Sequence, residues 1–251
     1  AIWKSLGEQL PEQQLMLGRQ VVRVNPRDRE ITLQDGQVVR YDRLISTMPA
    51  DRLLLLLQDQ LGLSRYSGSF VHSSSHVMGI GLEGRVPTEL ATKCWMYFPE
   101  DNSPFYRVTV FSNYSPRNVS RPGEQWSLMC EVSESPDKPV NSKTIVEETV
   151  QGLIASRLIK ADDVIASRWY KRLEYGYPTP WKGRDTVLDV VNAELMQIGI
   201  YSRGRFGAWK YEVSNQDHSV MQGVEAVNHI VTGQDERTYQ GDMSDQEIAS
   251  R

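Results

Sequence analysis

The chain has 251 residues, 24% of them charged and 39% hydrophobic, with a formal net charge of -4 at pH 7. That is the composition of a soluble globular protein with one large core or two small ones. Its acidic balance, without basic clusters, argues against a nucleic-acid partner, and no apolar run approaches the length of a membrane span.

In chain order, Trp3 to Leu10 reads as a short amphipathic helix ended by Pro11. Val21 to Asn25, Glu30 to Gln34 and Val38 to Tyr41 read as a β-meander, with turns at Pro26 to Arg29 and Asp35-Gly36. Leu44 to Met48 is a further strand, apolar enough to be buried, ended by Pro49. Asp51 to Asp59 reads as a helix around the run Leu53 to Leu57, and Ser67 to Ser69 as a flexible connection. Strands then dominate: Ser74 to Leu82, Cys94 to Phe98, Tyr106 to Asn113, Trp126 to Val132 and Val164 to Leu173. Their spacing suits a mostly antiparallel sheet. A helix from about Lys143 to Ile159, with Ile145, Val146, Val150, Leu153, Ile154 and Leu158 in its apolar stripe, interrupts them, and Thr186 to Met196 is another. After Thr232 the sequence is polar and acidic without a period, as in a weakly ordered tail.

The stretch from Ile200 to Ser219 carries the most chemistry. It reads as a short strand, then a glycine-loosened loop with Arg203, Arg205, Phe206, Trp209 and Tyr211, then Asn215, Asp217 and Ser219 as capping residues. A helix with Val220, Met221, Val224, Val227 and Ile230 on one side follows. A helix N-terminus offers free N–H groups and a partial positive charge, and the two arginines add to it, so the segment suits an anion. Taken alone, such arginines favour surface residues paired with carboxylates; the interleaved aromatics and the capped helix shift the reading to binding.

Other motifs are weaker. Gly79-Ile80-Gly81-Leu82-Glu83-Gly84 has the G-x-G-x-x-G spacing, but Pro87 sits where the helix of a phosphate loop would run, so glycines in a strand ending at a turn explain it better. Trp95 and Tyr97 share a strand face, and Arg107 falls near them; the pattern fits a bidentate diphosphate ligand or a cation–π cluster. His72 and His76 have no third partner, so no metal site is expected. Cys94 and Cys130 make neither a disulfide framework nor a metal pattern, and a reducing cytoplasm is the simplest context.

The run SRGRFGAWKYEVSNQDHS, from Ser202 to Ser219, resembles the C-terminal flavin- and substrate-binding motif of UDP-galactopyranose mutases, especially the eukaryotic-type branch. The run KCWMYFPEDNSPFYR from Lys93 to Arg107, then FSNYSP from Phe111, EVSES from Glu131, KPVN from Lys138 and GYPTP from Gly176 follow in that family's order. The resemblance spans about Ile2 to Ile230.

It implies a mixed α/β (α+β) fold: a largely antiparallel sheet domain for the substrate at residues 63–183, and pieces of a Rossmann-like FAD domain at 1–62 and 184–235, with a polar tail at 236–251. In this family the helix at Ile2 lies mid-protein, after a glycine-rich dinucleotide fingerprint. The chain is therefore expected to be a C-terminal fragment or one product of a split gene, partnered by the missing N-terminal half and inactive alone.

The resemblance further implies an isomerase that interconverts UDP-galactopyranose and UDP-galactofuranose through a covalent adduct between the sugar and N5 of reduced FAD. Carried over by position, Arg205 and Asn215 are catalytic, close to the sugar and the flavin edge. Trp95, Tyr97, Arg107, Tyr114, Tyr177 and Tyr211 bind substrate, with Arg107 on the diphosphate, Tyr114 beside it, and Tyr177, in an irregular loop, donating its hydroxyl to phosphate. Ser214, Asn215 and Gln216 approach the flavin pyrimidine, and Val21 meets the adenine through its main chain. A flavin amine oxidase or desaturase relative, and a non-catalytic module, stay open as alternatives; a homo-oligomer is compatible with either.

Overall fold

The computed structural model describes residues 2–58 and 60–241. In chain order its elements are α1 (Ile2–Gly7), β1 (Val21–Asn25), β2 (Glu30–Leu33), β3 (Val38–Arg40), β4 (Leu44–Ser46), α2 (Ala50–Leu56), β5 (His72–Glu83), β6 (Trp95–Tyr97), β7 (Arg107–Val110), β8 (Gln125–Glu134), α3 (Ile145–Ala155), β9 (Ile165–Pro178), α4 (Arg184–Gln197), β10 (Ile200–Ser202), α5 (Gln216–Thr232) and α6 (Arg237–Gln240). They form two compact units. One is the continuous segment His72–Thr179; the other combines the described residues up to Val71 with those from Pro180.

In the discontinuous unit, β1, β2 and β3 form the expected meander. Asn25 makes its first turn: its side-chain oxygen accepts from the Arg27 and Asp28 amides, and its amide nitrogen donates to Asp28. The second turn uses Gly36 at φ 86°, a left-handed conformation that favours glycine. β4 pairs in parallel with β10, Leu44 opposite Ile200. The run of leucines is helical in α2 because Leu53, Leu54 and Leu57 fall on one buried side while Leu55 faces out.

The continuous unit is a five-stranded antiparallel sheet in the order β6-β7-β8-β5-β9. Strand alternation sends Met78, Ile80 and Leu82 of β5 and Leu128, Cys130 and Val132 of β8 to one face, into a core shared with Ile145, Val150 and Leu153 of α3. Gly152 lets α3 approach closely, since a Cβ there would lie 2.9 Å from Pro104 and 3.1 Å from Phe105. Gly79 and Gly81 lie inside β5 and Gly84 in the turn after it, at φ 93°, so the G-x-G-x-x-G run is strand and turn.

Three expectations are corrected. Tyr177 lies in regular structure: β9 runs on to Pro178, with Tyr177 paired to Ser73 across a bulge between Ser73 and Ser75. The helix expected over Lys143 to Ile159 is confined to Ile145–Ala155, ended by Arg157 at φ 59°. The tail expected at 236–251 begins as folded chain. Glu236 and Thr238 are buried, and residues 237–240 are helical; the rest, from 242, lies outside the described residues.

Candidate functional site

In the sheet unit, Trp95, Tyr97, Arg107 and Tyr177 come together. Tyr97 is the register partner of Arg107, and Arg107 is the partner of Glu131 on β8, so these side chains share one face. Arg107 forks onto Glu131, with Nε 2.9 Å from Oε1 and Nη2 2.6 Å from Oε2. Its Nη2 also donates to the Tyr177 hydroxyl at 3.2 Å, and its guanidinium lies 5.6 Å from the Trp95 ring. Burial works against the charge of Arg107, but the fork on Glu131 outweighs it and holds the group above the usual arginine range. The Tyr106 hydroxyl donates to Glu131 at 2.7 Å, and burial, then that bond, push the phenol up. Tyr114 does not sit with the cluster's arginine: it packs edge-to-face on Phe111 beyond the other end of β7.

Glu131 and Tyr106 were not among the residues expected from sequence. Glu131 could have been suspected from alternation, as the charged residue between inward-facing Cys130 and Val132. Its meeting with Arg107 depends on strand register, which no local pattern fixes.

In the other unit, Arg203 and Arg205 part ways. Arg203 is 1% exposed and forks onto Glu236, Nε to Oε2 at 2.5 Å and Nη2 to Oε1 at 2.6 Å, with Nη1 donating to Asn192 and to the Ser202 carbonyl. It is a buried internal partner and is not placed to meet an anion. Arg205 lines a cavity of about 230 Å³ together with Trp3, Ser214, Gln216 and Ser219. That cavity sits at the start of α5, where Asn215 is the N-cap residue by its extended backbone but its side chain makes no capping bond. His218, in the first turn, has a buried Nδ1 without a hydrogen-bond partner. Tyr211 opens the single turn Tyr211–Val213 before α5 and is exposed, while the Ser214 hydroxyl donates to the Tyr211 carbonyl at 2.8 Å. Val21 lines a second, apolar cavity of about 330 Å³ between the meander and β4, with Val24, Ile31, Leu44 and Ile45.

These features fit the two ends of a flavin dinucleotide. A helix N-terminus without a side-chain cap, with Arg205 beside it, is electropositive and suits the pyrimidine edge of a flavin. A largely apolar slot beside β1, with Ser46 and Thr47 in its lining, suits an adenine. Among the described residues, no cluster of three or more histidines, cysteines and acids could hold a metal, and no helix is long and apolar enough to cross a membrane.

No protein-family model matches the chain. Among solved structures, a reduced UDP-galactopyranose mutase is 47% identical with a TM-score of 0.90, over 95% of this chain and 52% of its own. A protein assigned as a protoporphyrinogen oxidase from Exiguobacterium sp. 255-15 matches at 15% identity and TM-score 0.60, over 80% of this chain and 44% of its own. A CLA-producing fatty acid isomerase from P. acnes matches at 11% identity and TM-score 0.57, over 85% and 48%. The last two share the fold alone. The chain thus spans about half the length of the mutase it matches, and within that span it belongs to the UDP-galactopyranose mutase family.

Proposed function

We propose that the chain is the substrate-binding and flavin-facing half of an FAD-dependent isomerase that interconverts UDP-galactopyranose and UDP-galactofuranose. The observation that carries this reading is the 47% identity to a UDP-galactopyranose mutase over 95% of the chain. The clustering of Trp95, Tyr97, Arg107 and Tyr177 on one sheet face supports it, because all four match substrate-binding positions of the family.

Bound in its reduced form, FAD would supply the nucleophile that displaces UDP from the sugar. The chain's own residues bind and orient. Glu131 takes Nε and Nη2 of Arg107, and Nη2 also meets the Tyr177 hydroxyl, so a diphosphate would be met by Nη1 and by Tyr177 beside it. Trp95 and Tyr97, both exposed, give the sugar nucleotide flat surfaces on the same sheet face. In the other unit, the α5 N-terminus, with Ser214, Asn215 and Gln216, and Arg205 supply positive potential for a reduced flavin and an incipient anion. Tyr211 adds an exposed hydroxyl for phosphate. Val21 offers main chain at the edge of the adenine slot. The chemistry then depends mainly on holding the diphosphate and the flavin in place.

An amine oxidase-like activity is the second reading, favoured only by the shared fold. The test incubates the complete gene product with UDP-galactofuranose under dithionite and separates the two UDP-sugars. Interconversion without dithionite or oxygen consumed in proportion to product is expected. Failure to interconvert them, with oxygen uptake on an amine, overturns the reading.

A further inference from the structure

The segment Glu236–Gln240 follows α5 after Gly233, whose φ of 75° ends the helix and turns the chain back. Tyr239 is its one large ring and the rest is polar, yet Glu236 and Thr238 are buried. Polar bonds hold it. The Thr238 amide and hydroxyl both donate to the Glu225 carboxylate, at 2.8 and 2.9 Å. Glu236 takes the fork of Arg203. The Tyr239 ring lies 4.1 Å from the Arg203 guanidinium, and Lys210 donates to the Tyr239 carbonyl at 2.9 Å with its ammonium 4.7 Å from the ring. Burial pushes the Tyr239 phenol up to about 12, so it stays neutral beneath the two cations throughout the working range.

The two anchor points bracket one loop. Arg203 precedes it and Lys210 nearly ends it; Arg205 lies between them and Tyr211 directly after. The loop has little freedom of its own. Gly207 packs against the Arg203 main chain, where a Cβ would lie 2.2 Å from the carbonyl oxygen. The Gly204 amide donates to the buried Gln222 side chain, which in turn donates to the Val213 carbonyl. Whatever moves Arg203 or Lys210 therefore moves Arg205 and Tyr211.

We infer that residues 236–240 form a strap that positions the ligand-facing residues of this loop, with Glu236 acting through Arg203 and Tyr239 through Lys210. The inference rests on the reading that Arg205 and Tyr211 meet the flavin and the phosphate. A strap that served stability alone would leave ligand affinity unchanged in any variant that stays folded. The strap sets it, because a loop held from two sides presents its side chains without a search among conformers.

The test uses the complete gene product and UDP as the probe. Lys210→Met removes one anchor without burying an unpaired charge, and Glu236→Gln removes the charge facing Arg203. Both variants should keep their cooperative unfolding. They should lose amide exchange protection across residues 204–211 and bind UDP roughly tenfold more weakly, the scale of loss from a misplaced site. Where Glu236→Gln does not fold, Lys210→Met decides. Arg205→Ala and Tyr211→Phe run alongside. If these weaken UDP binding while the strap variants match wild type in exchange or affinity, the strap is overturned and the ligand reading stands. If neither Arg205→Ala nor Tyr211→Phe changes UDP binding, the ligand reading falls and the strap's role in it falls too.

Discussion

At the scale of single residues, arginine alone does not tell a ligand contact from a structural one. Arg107 and Arg203 both fork onto a carboxylate, but Arg203 is enclosed on all sides, whereas Arg107 keeps 19% of its side chain exposed and has the Tyr177 hydroxyl on its outer edge. Geometry, not residue type, separates their roles. If Arg107 clamps a diphosphate, Arg107→Ala should weaken UDP binding by roughly 1.5–3 kcal/mol, the range for a charge-assisted hydrogen bond. Arg107→Lys should recover part of that, because the charge stays and the fork is lost. The alanine variant also strips the buried Glu131 of its charged partner, leaving only the Tyr106 hydroxyl, so its unfolding midpoint should drop as well, and more than that of the lysine variant. Calorimetry with UDP and thermal unfolding on the same samples separate the two effects. Unchanged affinity in both variants would reduce Arg107 to a cation–π partner of Trp95.

At the scale of elements, the types of most helices and strands were legible and their pairings were not. Hydrophobic period marks α2, α3 and α5, and alternation marks β5 and β8, because both patterns follow from local backbone geometry. The strand around Tyr177 was lost to a Gly-Tyr-Pro signal that reads as a break; the bulge opposite Ser73 and Ser75 lets β9 continue through it. The candidate site was legible as residue types, through resemblance, but Glu131 and the strap were not. Their partners lie 24 and 33 residues away, so no window of sequence contains both ends. The start of α4 gives a prediction at this scale. Arg184 there donates to Glu212 in the turn that carries Tyr211. Burial raises the Glu212 carboxyl, but the Arg184 bonds outweigh it and hold the group below the usual range. A carboxyl lowered on folding contributes stability above its unfolded value, near 4.3, and loses it as pH falls through the folded value. Glu212 is half exposed, so the pair should contribute only about 0–1 kcal/mol. Arg184→Met should be less stable than wild type by that amount at pH 7, and urea unfolding should show the gap closing in acid. A gap that persists at low pH would assign the effect to lost packing of the arginine stem.

At the scale of the whole chain, the 251 residues hold only one G-x-G-x-x-G run, and it is strand and turn in β5. In the proposed reading the residues that suit a flavin meet its edges, and that one run, in β5, does not form the strand-to-helix turn that binds a pyrophosphate. Purified by itself, the 251-residue chain should therefore not retain FAD at one equivalent; a full flavin absorbance band after gel filtration would contradict this. The parallel pairing of Leu44 with Ile200 carries a different consequence, for the order in which the chain finds its structure. As the polypeptide emerges from the ribosome, β4 waits without a partner until the entire inserted sheet has been made. Bringing such distant segments together costs chain entropy, and non-local parallel pairing is slow. The insertion supplies its own remedy. His72 and Pro178 are register partners, so once β5 and β9 zip together, the two strands' ends stand side by side and the chain left to close between β4 and β10 falls to residues 47–71 and 179–199. The sheet should then nucleate the rest. Gly176→Ala, which would place a Cβ 2.2 Å from the Ser75 hydroxyl oxygen, should delay protection of β4 and β10 amides in pulsed exchange during refolding, although it lies in neither strand. Equal refolding rates for those amides in wild type and variant would mean that the discontinuous unit closes without waiting for the sheet.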